Sequence, residues 1–318
     1  MEKPSAPSGA NVFAGAHIPR KGPRRGDAAW LASAFASDRA RFVPVWKNKS
    51  LTREGDGAAL LTADAMGALL PPADRAVFLG NVGGRLCFAV DVGVDAEPAF
   101  AGCRFRSLRT IGAVLGAEEA ALMAYAQAMV LWHRRHGHCS NCGARTTPGQ
   151  GGHLRTCNDP ACGAAQHPRT DAAVIVLASR GDRALLGRQP TWPEGLYSTI
   201  AGFVEPGESL EEAVTREVFE ETGILVQDPV YHSSQPWPFP SSLMVGFHAR
   251  ATNDAIRLRD KELEDARWFS RDEVAAMVAR QAGLPSSISI AFRLIEQWYD
   301  RGEPGALRAL ATGPRHRA

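Results

Sequence analysis

The sequence predicts an α/β (α+β) fold that is divided into more than one domain. Short apolar runs typical of strands alternate with helix signals in the first third, and two pairs of cysteines lie close together near the middle. A glutamate-rich run follows, flanked by the residue types that begin and end a helix. At 318 residues, the chain is long enough for two or three domains with their own cores.

The overall composition is that of a globular protein, and it excludes several classes. Charged residues make up 22% and hydrophobic residues 45% of the sequence, and the formal net charge is only +2. This charge gives no broad basic field for bulk nucleic-acid binding. No apolar stretch approaches the ~20 residues that a membrane-spanning helix needs, and no secretory segment is recognisable. We therefore expect a cytoplasmic protein without membrane contacts.

The first third predicts a tail followed by a small α/β domain that lacks a catalytic motif. Residues 1–27 are rich in proline, glycine, alanine and basic residues, which is typical of a disordered tail. The last dozen residues form a second basic, proline- and glycine-containing tail. Over the whole chain, strands are predicted at 41–46, 76–80, 86–92, 172–178, 185–188 and 197–200, and helices at 62–70 and 117–136.

Four of the six cysteines predict a structural zinc site. Cys139 and Cys142 enclose two residues, Cys157 and Cys162 enclose four, and fourteen residues separate the pairs. Four thiolates on two short hairpins suit tetrahedral zinc, and Gly143 suits the turn that directs backbone amides at the sulfurs. Disulfides are the alternative, but they need an oxidising compartment. A redox-active CxxC motif needs no second pair.

The remaining cysteines and the nearby histidines are not needed for this site. His136, His138 and His153 lie close in sequence, but four cysteines already complete a tetrahedral ligand set. Cys87 and Cys103 are isolated in apolar surroundings, so we expect them to be core residues.

The glutamate-rich run 202–224 predicts a helix at 210–222. Ser209 and Glu212 form a capping-box pattern, and Gly223 suits the left-handed residue that ends a helix. At about 100° per residue, four apolar residues fall on one side of this helix. They are Leu210, Ala213, Val214 and Val218.

The positions of the later glutamates in this helix favour metal binding. Most glutamate runs are solvated faces, yet Glu217 and Glu221 fall inside the apolar stripe and Glu220 lies at its edge. Carboxylates crowded on a partly buried face repel each other and lose hydration. A hard cation such as Mg²⁺ or Mn²⁺ relieves both problems, and Arg216 can pair with Glu220 at i,i+4.

This run resembles a complete Nudix box. It has the pattern glycine, five residues, glutamate, seven residues, Arg-Glu, an aliphatic, one residue, Glu-Glu, one residue, glycine and an aliphatic. Nudix enzymes hydrolyse a nucleoside diphosphate linked to another group, and the resemblance implies an α/β/α sandwich. It also implies that Glu217, Glu220 and Glu221 are catalytic and, with the carbonyl of Ala201, bind Mg²⁺ or Mn²⁺. The general base differs among Nudix enzymes, so Glu220, Glu221 and a later glutamate are all candidates.

Residues 234–242 (SQPWPFPSS), here called the aromatic loop, alternate prolines with aromatic residues. Each proline fixes its own φ and extends the residue before it, so Trp237 and Phe239 are held in a stiff strip. Rigid aromatic side chains can stack on flat rings of a ligand. The alternative is an ordinary loop whose aromatic residues pack onto the core.

The aromatic loop resembles the signature of NADH pyrophosphatases (NAD diphosphatases), in which it lines the dinucleotide site. A zinc ribbon before the Nudix domain is also how this family is built. The common signature has glutamine where this chain has Ser241, a minor departure. The resemblance implies substrate contacts from Gln235, Pro236, Trp237, Pro238, Phe239, Pro240, Ser241 and Ser242.

Four further site residues follow from the same resemblance. Glu262 is the candidate for one more metal ligand, with Glu264 as its competitor, and Ala291 contacts substrate through its backbone. Arg109 matches a substrate-binding position, the alternative being a surface arginine. His167 stands where family members usually have a stacking aromatic residue, which puts that contact in doubt.

Phe203 is a candidate stacking face for adenine or nicotinamide, with a core role as the alternative. The implied division is a disordered tail (1–27), an N-terminal α/β domain ending in a helix (28–135), a zinc ribbon (136–167), a Nudix hydrolase domain (168–303) and a C-terminal tail (304–318).

The family resemblance implies hydrolysis of NAD(H) to nicotinamide mononucleotide and AMP, by a homodimer that uses Mg²⁺ or Mn²⁺ for catalysis and Zn²⁺ for structure. The same chemistry could remove the NAD cap from the 5′ end of RNA. A broader nucleoside-diphosphate-X pyrophosphatase is a third hypothesis, and a ligand-sensing protein without activity is a fourth. The intact box glutamates argue against the sensor, and the aromatic loop argues against the broader enzyme.

Overall fold

The computed structural model describes residues 7–15, 17–55, 57–259, 261–280, 283–300 and 303–312. These residues form two compact units. The N-terminal unit contains the described residues within 12–170 and 236–241, and the C-terminal unit contains those within 1–11, 171–235 and 242–318. No helix in the described ranges is both long enough and apolar enough to cross a membrane.

The N-terminal unit contains a five-stranded sheet in the order β3-β4-β1-β2-β5, in which only the β1–β4 pair is parallel. A second, three-stranded antiparallel sheet has the order β6-β7-β8. The elements are α1 (Ala28–Phe35), β1 (Ala40–Trp46), β2 (Lys49–Arg53), α2 (Ala63–Met66), β3 (Val77–Val82), β4 (Arg85–Asp91), β5 (Cys103–Arg106), α3 (Leu108–Ile111), α4 (Ala117–Arg135), β6 (Thr146–Gly149), β7 (Leu154–Cys157) and β8 (Ala165–Gln166).

The larger sheet of this unit is covered by helices on both faces. Successive residues of a strand point to opposite faces. Phe42 of β1 accordingly packs in a core with Ala34 of α1, whereas Val43 and Val45 pack in another core with Ala126 of α4. The predicted small α/β domain ending in a long helix is thus present in the structure.

The C-terminal unit contains a six-stranded sheet in the order β12-β13-β9-β10-β14, with β11 also paired to β9. β9 is parallel to β13 and antiparallel to β10 and β11. The elements are β9 (Asp171–Arg180), β10 (Arg183–Arg188), β11 (Ile200–Phe203), α5 (Leu210–Thr222), β12 (Val226–Trp237), β13 (Ser242–Ala251), β14 (Asp265–Ser270), α6 (Arg271–Ala279), α7 (Ile290–Asp300) and α8 (Ala306–Thr312).

The central strand β9 divides this unit into three layers. Val174 and Val176 pack in a core that includes Val214 of α5, whereas Ile175 and Leu177 pack in a second core with residues of α6, α7 and α8. The unit is therefore an α/β/α sandwich, as the resemblance implied.

Two predicted elements differ from the structure. The strand expected at 197–200 is absent, because the amide of Tyr197 donates to the carbonyl of Gly283 at 2.8 Å instead of to a neighbouring strand. Ser198 makes only an isolated bridge, and the strand β11 begins at Ile200. The helix expected at 62–70 becomes α2 followed by a short 3₁₀ turn, because Gly67 leaves the helical conformation with a φ of 52°.

Parts of the two expected tails are packed against the rest of their units. Asn11 and Phe13 are only 4% and 3% exposed, and Leu307 of α8 is fully buried. Phe13 packs with Leu108 and Ile111, and Ile18 packs against another core. These isolated apolar residues are obscured by the proline-, glycine- and arginine-rich composition of the segment. Residues 1–6 and 313–318 of the predicted tails lie outside the described residues.

Two half-buried histidines in the N-terminal unit hold the turn between β6 and β7. His133 donates through Nε2 to the carbonyl of Gly152 at 2.7 Å and accepts at Nδ1 from Arg155 at 2.8 Å. His153 donates through Nε2 to the carbonyl of Phe78 at 2.8 Å. Burial lowers the pKa of each imidazole to about 4, so both rings are neutral near pH 7.

These histidines should make the protein less stable in mild acid. The unfolded chain takes up protons as the pH falls below about 6.5, whereas the folded rings resist protonation until about 4, so stability is lost over this interval. We predict that His153→Gln shows a smaller loss of urea-unfolding free energy between pH 7 and 5.5 than the parent. Exposed His17 provides the control, since His17→Gln should follow the parent curve. Parallel curves for the His153 variant and the parent would refute the prediction.

Candidate active site and zinc centre

The acidic helix α5 begins and ends where its caps predict. Ser209 Oγ accepts from the amide of Glu212 at 3.2 Å, and the Glu212 carboxylate accepts from the amide of Ser209 at 2.7 Å. Gly223 has a φ of 70° and closes the helix in the left-handed conformation. The predicted helix and its capping box are confirmed.

The glutamates on this helix differ in exposure as the helical pattern predicts. Glu221 is 4% exposed and lies on the same side as the fully buried Val214 and Val218. The side chain of Glu217 is 12% exposed, whereas that of Glu220 is 53% exposed. A face that buries two carboxylates is unlike a solvated charged surface.

The carboxylate of Glu217 lies directly against the backbone of β11. A Cβ atom built on Gly202 would fall 1.9 Å from Cδ of Glu217 and 2.0 Å from its Oε1. Any side chain at position 202 would therefore displace this carboxylate. A steric requirement therefore explains the first glycine of the box. Because Gly202 has no side chain, Glu217 can lie next to β11, the strand that carries Ala201.

Arg216 is the counter-charge of the acidic group. Its guanidinium donates through Nη1 to Glu217 at 2.9 Å and to Glu220 at 3.1 Å, and through Nη2 to the carbonyl of Phe203 at 2.9 Å. Glu208 accepts from Arg216 Nε at 2.5 Å and from Nη2 at 2.8 Å. The predicted pairing of Arg216 with Glu220 is confirmed, and Glu208 fixes the orientation of the arginine.

The pKa values of these carboxylates move in opposite directions. Burial raises the pKa of Glu217, and the negative charges of Glu220 and Glu262 add to this effect against the opposing influence of Arg216. The hydrogen bonds from Arg216 and from the amide of Glu205 lower the pKa of Glu208 to about 2. Glu217 is thus a desolvated carboxylate with anionic neighbours, a setting that favours binding of a cation.

The structure favours Glu262 over Glu264 as the additional acidic residue. Glu262 is close enough to raise the pKa of Glu217, whereas Glu264 forms an ion pair with Arg188. Among the described residues, the oxygens of these glutamates do not converge as the four cysteine sulfurs do, so a metal site formed by Glu217, Glu220, Glu221 and Glu262 with the carbonyl of Ala201 stays a prediction. The oxygen-only character of this set suits Mg²⁺ or Mn²⁺.

The rings of the aromatic loop contact each other within the N-terminal unit. Trp237 and Phe239 meet edge to face with centroids 5.0 Å apart, and Phe13 lies 6.3 Å and 5.9 Å from them. The guanidinium of Arg109 lies 4.2 Å from the centroid of Phe239 and 5.4 Å from that of Trp237. Arg109 thus lies against the aromatic loop, a contact that the sequence did not indicate, and both rings are half-buried. Its predicted contact with substrate stays a prediction.

The side chain of Gln235 is bonded to the start of α7. It is fully buried, donates through Nε2 to the carbonyl of Ile288 at 2.7 Å and accepts from the amide of Ile290 at 2.8 Å. Its substrate contact, which the resemblance implied, stays a prediction. Ala291 is also buried there, and its amide donates to Ser289 Oγ at 3.1 Å.

The other candidate substrate residues vary in exposure. Phe203 is 58% exposed, so the core alternative for it is wrong. His167, Pro236 and Pro240 are exposed, Ser241 is half-buried, and Pro238 and Ser242 are buried. Gln127 Nε2 donates to the carbonyl of Pro238 at 2.8 Å, a contact that no sequence pattern indicated.

The four cysteines converge as a zinc site requires. The Sγ atoms of Cys139, Cys142, Cys157 and Cys162 all lie within 4.8 Å of one another. The Cys139–Cys162 and Cys142–Cys157 sulfurs are 3.8 Å and 3.4 Å apart, near the roughly 3.8 Å expected for a tetrahedral ion with ~2.3 Å bonds. Among the described residues, no other group of histidine, cysteine or acidic side chains converges in this way.

Backbone amides favour the thiolate of Cys139, whereas desolvation and neighbouring thiols raise the pKa of Cys157 and Cys162. Amides of Asn141 and Cys142 point at Cys139 and lower its pKa to about 6. Gly143 and Gly163 follow the two pairs with φ of 77° and 53°, so each pair ends in a left-handed glycine turn. His136 and His153 bond backbone carbonyls instead of joining the cluster, and Cys87 is a buried core residue as predicted.

Both halves of the chain match known protein families. The description "NUDIX domain" matches residues 167–286, and "NADH pyrophosphatase-like rudimentary NUDIX domain" matches residues 39–132. The N-terminal α/β domain, for which the sequence showed only the absence of a catalytic motif, is therefore similar to a rudimentary Nudix domain.

Similar proteins are found in several organisms. A Mycobacterium bovis protein named NAD-capped RNA hydrolase NudC is 41% identical over 290 residues, covering 84% of this chain and 91% of that protein. A Stutzerimonas stutzeri protein of the same name is 39% identical over 246 residues, covering 77% and 85%. Nudix hydrolase 19, chloroplastic, of Arabidopsis thaliana is 42% identical over 210 residues, covering 64% of this chain and 45% of that protein.

We predict that Gly202→Ala weakens Mn²⁺ binding by about tenfold or more in isothermal titration calorimetry, because the new methyl group displaces Glu217. Gly93→Ala is the matched control, since a Cβ there meets no atom within 4 Å. Mn²⁺ affinity that is the same in the Gly202 variant and the parent would show that Glu217 is not a ligand.

We predict about one zinc ion per chain in elemental analysis, and a thermal midpoint that falls by about 5 °C or more when the zinc is removed. Cys142→Ser should lose the zinc, whereas Cys103→Ser, which lies outside the cluster, should retain it. Equal melting of the parent with and without bound zinc would contradict a structural role for the site.

Proposed function

Because the chain belongs to the NADH pyrophosphatase branch of the Nudix hydrolases, we propose that it hydrolyses the pyrophosphate bond of NAD(H) to nicotinamide mononucleotide and AMP. The observation that carries this proposal is the desolvated carboxylate of Glu217. It is held against Gly202 and has Glu220 and Glu262 as anionic neighbours. A pyrophosphate is itself anionic, so a site for it must supply positive charge.

In this proposal Glu217, Glu220, Glu221 and Glu262, with the carbonyl of Ala201, hold Mg²⁺ or Mn²⁺. When bound, the cations neutralise the phosphate oxygens and acidify a water molecule. Arg216 keeps Glu217 and Glu220 together, and the exposed ring of Phe203 is available for stacking. The candidates for the general base are Glu220, Glu221 and Glu262.

The aromatic loop supports a dinucleotide as the substrate. Trp237 and Phe239 present two half-buried rings, and Arg109 lies over Phe239. Such rings recognise flat bases by stacking. We assign to them, with Pro236, Pro240 and Ser241, the recognition of one base of NAD(H).

A second substrate is favoured by the names of the relatives. The Mycobacterium bovis and Stutzerimonas stutzeri proteins are named NAD-capped RNA hydrolases, and removal of an NAD cap breaks the same bond. We include NAD-capped RNA as a candidate substrate of this chain. Comparing kcat/KM on NADH and on an NAD-capped oligonucleotide decides between the two.

We also propose that the protein is cytoplasmic and forms a homodimer, and that the four-cysteine site holds zinc. Zinc ligation needs reduced, deprotonated cysteines, which agrees with a reducing compartment. Size-exclusion chromatography with light scattering measures the assembly directly.

The proposed function is tested with Glu221→Gln, which keeps the volume of the buried side chain but removes its charge. With NADH and Mg²⁺, the parent should release nicotinamide mononucleotide and AMP, as resolved by liquid chromatography. The variant should keep its thermal midpoint within a few degrees and lose about 100-fold or more in kcat. Glu211→Gln is the matched control, because Glu211 is exposed on the first turn of the same helix. Parental turnover in the Glu221 variant would contradict its assignment, and no product from the parent would contradict the proposed function.

A further inference from the structure

We infer that residues 8–13 are a positioning element for the aromatic loop, so that substrate binding depends on an N-terminal segment outside both Nudix-type regions. The inference rests on the proposed function, because it assigns the segment an effect on dinucleotide affinity. It is carried by two sets of contacts, one from Ser8 and Asn11 and one from Phe13.

The first set holds the residues at which the chain enters the loop. Ser8 Oγ accepts from the amide of Ser234 at 2.9 Å. Asn11 Nδ2 donates to the carbonyl of Ser234 at 2.9 Å and to Ser233 Oγ at 3.0 Å. Two side chains therefore bind both backbone polar groups of the residue directly before Gln235.

Within the part of the chain that the structure describes, these contacts occur on a strand that pairs with another strand on only one side. β12 is the first strand in the sheet order and β13 is its neighbour. Outward-facing amides and carbonyls of an edge strand need other partners. At Ser234 they are supplied by Ser8 and Asn11, which fixes the strand immediately before the alternating prolines begin.

The second set holds the aromatic rings themselves. Phe13 is 3% exposed and meets both Trp237 and Phe239 through edge-to-face contacts. Phe13 fits here because residue 112 is glycine, since a Cβ at that position would come within 2.8 Å of the Phe13 ring. The ring of Phe13 is therefore enclosed, and it restricts the two rings that are proposed to meet the substrate.

The two hydrogen bonds of Asn11 come with the burial of an unpaired oxygen atom. Its Oδ1 atom is buried and finds no donor among the described residues. A buried acceptor without a partner lowers stability, so an apolar residue would suit the burial better. The two hydrogen bonds that the side-chain amide donates to Ser233 and Ser234 explain why asparagine occupies this buried position.

The expected consequence is a change in substrate affinity. A loop held in its bound conformation loses less entropy on binding. Releasing it should raise KM for NADH and leave kcat nearly unchanged, because the loop residues are not the carboxylates of α5. General destabilisation would instead lower the active fraction, and therefore kcat, at constant KM.

The first test measures NADH hydrolysis with Mg²⁺ by Ser8→Ala, Asn11→Ala and Phe13→Leu. Leucine keeps apolar bulk at position 13, so this variant is chosen to fold while losing the ring contacts. We expect KM to rise by about 5- to 10-fold with Asn11→Ala and kcat to stay within about twofold. Arg24→Ala is the control, because Arg24 is exposed in the same region and lies over Trp30 instead of the loop. Unchanged KM in all three variants overturns the inference, as does a fall in kcat alone.

A second measurement separates this inference from the proposed function, because it uses no substrate. Hydrogen exchange of the Ser234 amide, measured by NMR, should be faster in Ser8→Ala and Asn11→Ala than in the parent and in Arg24→Ala. If the parent does not hydrolyse NADH, the proposed function fails whatever the exchange rates show. If the parent hydrolyses NADH but exchange at Ser234 is the same in every variant, the positioning role is wrong.

Discussion

The contact between the Glu217 carboxylate and the bare backbone of Gly202 is the constraint on which the proposed site depends. A Cβ at position 202 would lie 1.9 Å from the carboxylate carbon, so the strand and the helix can approach only because this residue is glycine. Their approach removes water from Glu217 and raises its pKa. It also places an acidic side chain of α5 beside the strand that carries Ala201, as the proposed metal site requires.

Arg216 offsets the electrostatic repulsion between the neighbouring carboxylates. Arg216 bonds Glu208, Glu217 and Glu220 together with a backbone carbonyl. It thereby holds like charges near each other, which would otherwise repel. Because Glu208 takes two of these hydrogen bonds, the orientation of the guanidinium does not depend on Glu217 and Glu220 alone. In the proposed site, the box arginine therefore positions Glu217 and Glu220.

Sequence reasoning succeeded where local interactions decide the structure. The helix α5 follows from its own caps, and the zinc cluster follows from cysteine spacing and glycine turns. It failed where partners are distant in sequence. Tyr197 donates to Gly283, so the local sequence could not show that its predicted strand is absent. The hydrogen bonds of Gln235 to Ile288 and Ile290 also join residues that are distant in sequence. The burial of Phe13 likewise depends on Gly112 and on the aromatic loop, about a hundred and two hundred residues away.

We propose that the carboxylates of α5 gather divalent cations beside β11. Anomalous X-ray scattering from crystals of the parent protein soaked in Mn²⁺ tests this proposal. We expect anomalous density bonded to Glu217 and to at least one of Glu220 and Glu221, with the carbonyl of Ala201 in the coordination shell. Ordered crystals that show no manganese at these oxygens, with Arg216 still paired to Glu217 and Glu220, would contradict it.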